Sequence, residues 1–289
     1  MTPLDLVKLQ ELMKLTAGRP DIVVGLIDGP VAIRHSDLAA GNILETAGGA
    51  ACLRATSAAC LHGTFVAGIL SAQRGAPAPS ICPDCTLLVR PVFTEAASGD
   101  LEQPSAEPEA LAAAILDCVE AGARVLNLSL ALMQSSPQAK RTLREALDHA
   151  ARRRALVIAA AGNQGMVGGT AITGHPWVIP VAACDLQGKP LEASNLGASI
   201  ARHGLRAPGE RITSLGSEGE PLALGGTSAA APFVTGAIAL VWSLLPSASG
   251  GQIRAGFIHA SGGARTNVTP PLLNAWAAYQ GLLAINSRR

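Results

Sequence analysis

Gly225-Gly226-Thr227-Ser228-Ala229-Ala230-Ala231-Pro232, with the apolar run that continues to Leu245, is the stretch on which the fold turns. Two glycines and a threonine end an extended segment. From Ser228 onward nearly every residue is small or apolar, which predicts a helix buried on all sides. A hydroxyl therefore stands in the first turn of a core helix, where unpaired backbone N–H groups and the positive end of the helix dipole favour negative charge. The glycines remove side chains where the backbone of a bound chain has to come close. Taken alone, Ser228 reads as an N-cap, and it is the remaining sequence that overturns that reading.

Of the 289 residues, 48% are hydrophobic and 15% charged, so the chain can bury one large core. A single domain is expected over residues 21–289, preceded by an amino-terminal extension at residues 1–20. The net charge of +1 and the 3% of aromatic residues offer no footprint for nucleic acid or an acidic membrane. Asp5, Lys8, Glu11 and Lys14 interrupt the first fifteen residues, which do not read as a signal peptide. Leu6, Leu9, Leu12 and Met13 give that segment the apolar side of an amphipathic helix. The longest apolar stretch, Ala229 to Leu245, is shorter than the ~20 residues of a bilayer span and contains Pro232, Thr235, Gly236 and Ser243. A cytoplasmic location is expected.

In a reducing cytoplasm the cysteines at 52, 60, 82, 85, 118 and 184 are expected to be free thiols. The pairs Cys52/Cys60 and Cys82/Cys85 could bridge in an oxidising compartment, and a zinc site on these four has irregular spacing. No compact carboxylate cluster of the EF-hand kind occurs, so neither a metal nor any other cofactor is expected.

Asp21 to Ile27 is an apolar, β-branched run ended by Asp28-Gly29-Pro30, which predicts a buried parallel strand with a carboxylate at its C-terminal end. His62-Gly63-Thr64 opens a helical pattern over Thr64 to Ala72, and Thr86 to Val92 reads as the next strand. Asp100 to Pro108 is an acidic, proline-containing loop. Helix (Glu109 to Ala121), strand (Arg124 to Ser129), helix (Pro137 to Arg153) and strand (Leu156 to Ala161) follow in alternation, then a strand at Trp177 to Ala183. Short extended pieces lie within Asn195 to Gly216. Helices at Gln252 to Ser261 and Pro271 to Ala284 close the chain. This order predicts an α/β fold, a mostly parallel central sheet with helices on both faces, whose ligands bind beyond the C-terminal strand ends.

Individually Asp28, His62 and Asn163 have bland readings as a turn former, a cap and a turn asparagine. Together they form an ordered set: Asp28 at a strand end, His62 in His-Gly-Thr, Asn163 in Ala-Ala-Gly-Asn, and Ser228 in Gly-Thr-Ser-x-Ala-x-Pro. This set resembles the subtilisin-like serine proteases from about Ile22 to Leu245, with their Asp, His, Ser order. His35-Ser36-Asp37-Leu38 and Asn127-Leu128-Ser129-Leu130 are similar to two further stretches of that family.

The resemblance implies a three-layer subtilisin-like fold and a serine endopeptidase. Ser228 would be the nucleophile, His62 its base, Asp28 the group that holds the imidazole, and Asn163 an oxyanion donor beside the Ser228 N–H. An extended peptide would add as a strand to Ser129-Leu130-Ala131, with Ala160-Ala161-Gly162 walling an open pocket suited to an apolar or unbranched side chain. Asp28-Gly29-Pro30, in place of the usual Asp-Ser/Thr-Gly, and Ile81-Cys82-Pro83-Asp84-Cys85 resemble the subgroup that matures ribosomally made precursor peptides of the cyanobactin type. So does the absence of a pro-segment expected from the 27 residues before Asp28. Ala131-Leu132 stand where glycines are common. Some members of that subgroup macrocyclise their product and carry a helical insertion between the Asp and the His, for which the 34 positions from Asp28 to His62 leave little room. A peptide macrocyclase or ligase and an idle peptide-binding module are the alternatives on the same fold.

Overall fold

The computed structural model describes residues 1–38, 42–46, 52–93, 95, 105–132, 136–260 and 267–286. Two short helices, α1 (Pro3–Leu6) and α2 (Gln10–Leu15), precede strands β1 (Val23–Asp28) and β2 (Ile43–Glu45), helix α3 (Ala58–Ser71) and strand β3 (Thr86–Pro91). Then come β4 (Ser105–Ala106), α4 (Pro108–Glu120), β5 (Val125–Leu128), β6 (Ala131–Leu132), α5 (Pro137–Arg152), β7 (Leu156–Ala160) and β8 (Val178–Cys184). The chain ends with α6 (Ala198–His203), β9 (Leu205–Pro208), β10 (Ile212–Leu215), β11 (Pro221–Leu224), α7 (Thr227–Leu244), α8 (Gly250–Ala260) and α9 (Ala275–Asn286).

Seven strands form one sheet in the order β2-β3-β1-β5-β7-β8-β9, and every neighbouring pair in it is parallel. Strand alternation divides the buried side chains between two cores. Val24, Leu26, Val125, Leu156 and Ile158 face a layer containing α3, α7, α8 and α9, whereas Ile27, Leu126, Leu128, Val157 and Ala159 face α4 and α5. The chain runs from β1 to β3 on one side and then crosses to β5 on the other, so the strand order reverses at β1. The C-terminal ends of β1 and β5 at this reversal are the usual ligand position in such sheets.

Helix α7 is long and apolar enough to cross a membrane by length and composition, but 89% of it is buried inside the protein, which makes it the core helix. It starts at Thr227 after Gly226, whose φ of +94° suits a residue without Cβ and whose position at the N-cap brings no side chain of its own to the helix start. Ser228 is therefore the second residue of the helix rather than its N-cap.

Three expectations need correction. Helix α3 begins at Ala58, earlier than the His-Gly-Thr motif, because Ser57 is its N-cap and accepts from Cys60 N at 3.1 Å; His62 thus sits inside the helix. The amino-terminal helix is broken in two at Lys8, which has a φ of 56°, and the break turns Val7, Leu9 and Leu12 into the same core as α7. The last helix starts at Ala275 instead of Pro271, because Leu272 bridges in parallel to Arg206 beside β9 before the helix can begin. Of the acidic segment Asp100 to Pro108, residues 100–104 lie outside the described residues, and Ser105–Ala106 is a strand that pairs in parallel with β6.

Candidate active site

Asp28 ends β1 and is fully buried. Its Oδ1 accepts from the Gly29 N–H at 2.7 Å and lies 2.6 Å from His62 Nδ1, while Oδ2 has no partner among the described residues. Helix α3 reaches this position by packing directly on the turn after β1: a Cβ on Gly63 would strike the carbonyl oxygens of Gly29 and Pro30. Thr64, one residue on, accepts from the Ala32 N–H at 2.9 Å and fastens the same turn to the helix.

Burial of the His62 ring, whose side chain is 12% exposed, pushes its pKa down; the charge of Asp28 and the hydrogen bond to it outweigh that, leaving the pKa above the ordinary 6.5. Nδ1 is occupied by the carboxylate. Nε2 is left as the ring's free corner, with no hydrogen bond among the described residues.

The β1/β5 register sets Ile27 opposite Leu128, so Asp28 and Ser129 leave the sheet side by side. Ser129 Oγ donates to the Ser228 carbonyl at 3.0 Å. That bond brings the start of α7 to the same strand ends as the Asp28–His62 pair. Ser228 is partly exposed, and neither its Oγ nor its N–H makes a hydrogen bond among the described residues. The unpaired N–H is what a first-turn residue offers to an anion.

Asn163 follows β7, and its Oδ1 accepts from both the Thr227 N–H (2.8 Å) and the Thr227 hydroxyl (3.0 Å). Nδ2 lies against Gly226 at the helix start, where a Cβ would strike it as closely as Oδ1, and it makes no hydrogen bond among the described residues. Thr227 Oγ1 also accepts from the Gly162 N–H at 3.1 Å. Asn195, only 5% exposed, clasps this loop from the other side: Oδ1 accepts from the N–H groups of Gln164 (3.1 Å) and Met166 (3.0 Å), and Nδ2 donates to the Gln164 side chain (2.7 Å) and the Ala161 carbonyl (3.2 Å). Asn195 carries no local sequence signal, since its partners stand about thirty positions away.

Among the residues expected to meet a substrate, Ser129 is fully buried with its hydroxyl turned inward, and Leu130 is buried. The Ala131 backbone is paired with Ser105. Ala160 and Ala161 are buried, and the backbones of Ala161 and Gly162 are already bonded to β8, Asn195 and Thr227. These three can therefore act as a wall but not as a rail of free backbone groups. His35 is buried, and its Nδ1 accepts from the Asp37 N–H at 3.0 Å within its own turn.

The cysteines depart from the free-thiol expectation at one place. Cys52 and Cys60 form a disulfide, and Cys60 lies in the first turn of α3, two residues before His62; Cys82, Cys85, Cys118 and Cys184 are buried free thiols. The loop after Cys52 is fixed by Glu95, whose carboxylate accepts from the Leu53 N–H (2.9 Å), the Arg54 N–H (3.0 Å) and the Ser57 hydroxyl (3.0 Å). Cys52, Cys60 and Glu95 are the one group close enough to hold a metal ion among the described residues, but the two sulfurs are bonded to each other and the carboxylate is taken. A zinc site on cysteines 52, 60, 82 and 85 is thereby excluded in this disulfide-bonded form.

A model of the subtilase family matches residues 19–277. Subtilisin DY of Bacillus licheniformis is 31% identical over 242 residues, which cover 81% of this chain and 81% of that protein. Among solved structures, the prenylagaramide maturation protease PagA superimposes with a TM-score of 0.82 at 29% identity, covering 95% of this chain and 98% of its own. The patellamide maturation protease PatA superimposes with a TM-score of 0.79 at 28% identity, covering 92% and 98%.

Proposed function

The chain belongs to the subtilase family of serine proteases, and on that premise we propose that it is an endopeptidase with Ser228 as nucleophile, His62 as general base, Asp28 as the group that orients the base, and Asn163 as an oxyanion donor. The observation that carries this reading is the 2.6 Å contact between His62 Nδ1 and the fully buried Asp28, at the strand ends where α7 begins. A serine hydroxyl attacks a peptide carbonyl only when a base removes its proton. His62 Nε2 takes that proton and returns it to the leaving amine, while Asp28 holds the tautomer and stabilises the imidazolium without itself being protonated. Negative charge on the carbonyl oxygen is met by the Ser228 N–H and Asn163 Nδ2, neither of which makes a hydrogen bond among the described residues.

The substrate is an extended peptide that adds as a strand beside Ser129, Leu130 and Ala131, with the side chain before the cut against Ala160, Ala161 and Gly162. The likeness to PagA and PatA along nearly their whole domains supports a ribosomally made precursor peptide as the physiological class. Mass analysis of a precursor-type peptide library tests this: wild-type protein yields fragments heavier in sum by one water per cut, and Ser228→Ala yields none. A cyclic product without the added water would instead mark a ligase. Binding with no product from the wild type would mark an idle module.

A further inference from the structure

Resting on the reading of Ser228 as the nucleophile, we propose that Thr235 is a positioning residue of the site, acting through Asn127 and Ser129 on the backbone of Ser228. The reason begins with Pro232, which lies inside α7 and has no N–H. In an α-helix that N–H would bond the carbonyl four residues back, which is that of Ser228. The nucleophile's own carbonyl is thus deprived of its helical partner, and Ser129 supplies a substitute from the end of β5: its hydroxyl donates at 3.0 Å.

Ser129 is itself held. Its Oγ accepts from Asn127 Nδ2 at 2.8 Å, and Asn127 Oδ1 accepts from the Thr235 hydroxyl at 2.7 Å. Thr235 has a second acceptor, the Ala231 carbonyl, but at 3.2 Å this is the longer contact, so the asparagine is the better partner. Each hydroxyl has one proton, and the donations therefore run one way, from Thr235 to Asn127 to Ser129 to the Ser228 carbonyl. All three side chains are fully buried, so water cannot stand in for a missing member. Strand alternation explains why the asparagine points at α7: Asn127 shares its face with Val125, which packs in the α7 core.

Through this chain the first turn of α7 is referenced to β5, the neighbour of the strand that carries Asp28. Removal of the Thr235 hydroxyl leaves Asn127 Oδ1 unpaired and frees the amide to turn, which loosens Ser129 and then Ser228. A displacement of the nucleophile by a fraction of an ångström lowers kcat more than it raises KM.

The test compares Thr235→Val, Thr235→Ser, Ser129→Ala and the double variant Ser129→Ala/Pro232→Ala. Thr235→Val and Ser129→Ala are expected to lower kcat by about tenfold with KM changed by less than about twofold. Thr235→Ser keeps the hydroxyl and returns kcat to within about twofold of wild type. Against a Pro232→Ala background, where an N–H at 232 reaches the Ser228 carbonyl, Ser129→Ala costs no more than about threefold. Amide exchange over residues 227–231 reports the same relay without turnover, and is expected to quicken by about tenfold in Thr235→Val but not in Thr235→Ser. Wild-type kcat and wild-type exchange in Thr235→Val, or a serine variant as impaired as the valine variant, overturns the proposal. If the wild type cleaves no peptide, the hydrolase reading fails, and amide exchange still decides whether Thr235 sets the Ser228 turn.

Discussion

Helices α3 and α7 bring their groups to the same strand ends but are fixed there by different physics. On the α3 side a fully buried carboxylate meets a nearly buried imidazole at 2.6 Å, and the Asp28 Oδ2 is left without a partner among the described residues. On the α7 side, among the described residues, the contacts are neutral: Thr227 with Asn163 and Gly162, Asn195 with the loop after β7, and Ser129 with the Ser228 carbonyl. The proposed base, His62, is thus set by charge, and its behaviour changes with pH. The proposed nucleophile and oxyanion donors are held by neutral hydrogen bonds, and their placement is lost by degrees when one is removed.

If that contrast is right, the largest loss follows from touching the charged side. Asp28→Asn preserves the size of the group but favours the wrong imidazole tautomer, and kcat is expected to fall by about four orders of magnitude in a steady-state peptide assay. A loss of less than about tenfold would mean that His62 does not depend on Asp28. On the neutral side, Asn163→Ala removes the proposed oxyanion donor and is expected to lower kcat by about 100- to 1,000-fold with little change in KM. A rise in KM alone would assign Asn163 to ground-state binding.

The pH profile separates the two sides more sharply. His62 must be neutral to accept a proton, and its pKa is raised above 6.5, so kcat/KM should fall about tenfold per pH unit below a midpoint lying above 6.5. Because the folded state favours the charged imidazole, the pair's contribution to stability is fully present below pH 6.5 and is lost as pH rises through the higher folded value. Asn163→Ala should leave that midpoint where it is. A matching shift in Asn163→Ala would break the division between a titrating side and a neutral one.

Smaller effects are expected from the supports. Asn195→Ala leaves the loop N–H groups of Gln164 and Met166 unpaired; about 2 kcal/mol of stability should be lost in urea unfolding, with an unchanged acid midpoint. Reduction of Cys52–Cys60 acts on the other side, at the first turn of α3, and should cost about 2 kcal/mol by release of the closed loop. Burial pushes the thiols of Cys118 and Cys184 up to about 12, so neither should be alkylated at pH 8 in the folded protein.

The charged side was also the more legible in the sequence. Asp28 closes an apolar strand and His62 belongs to a short local motif, so period and punctuation locate both. The parallel sheet followed from the alternation of helix and strand, and α7 from its unbroken apolar run. What local pattern does not carry is partnership across the fold. Thr235 stands in an apolar helix where a hydroxyl attracts no notice, and its acceptor on Asn127 is 108 positions away. Asn195 escaped for a related reason, having only distant partners, and the Cys52–Cys60 bridge stood only as an alternative to free thiols because it depends on how the loop before α3 is held by Glu95. The start of α3 was missed because Ser57 precedes an alanine-rich turn whose apolar spacing is weak.

The central claim, that the two sides meet as one reacting centre, is tested most directly by intact-protein mass after incubation with a fluorophosphonate, run on wild type, Ser228→Ala and His62→Ala. One adduct on the wild type, absent from Ser228→Ala and strongly slowed in His62→Ala, is the expected result. No adduct on folded wild-type protein, or labelling of Ser228 at the same rate without His62, would contradict it.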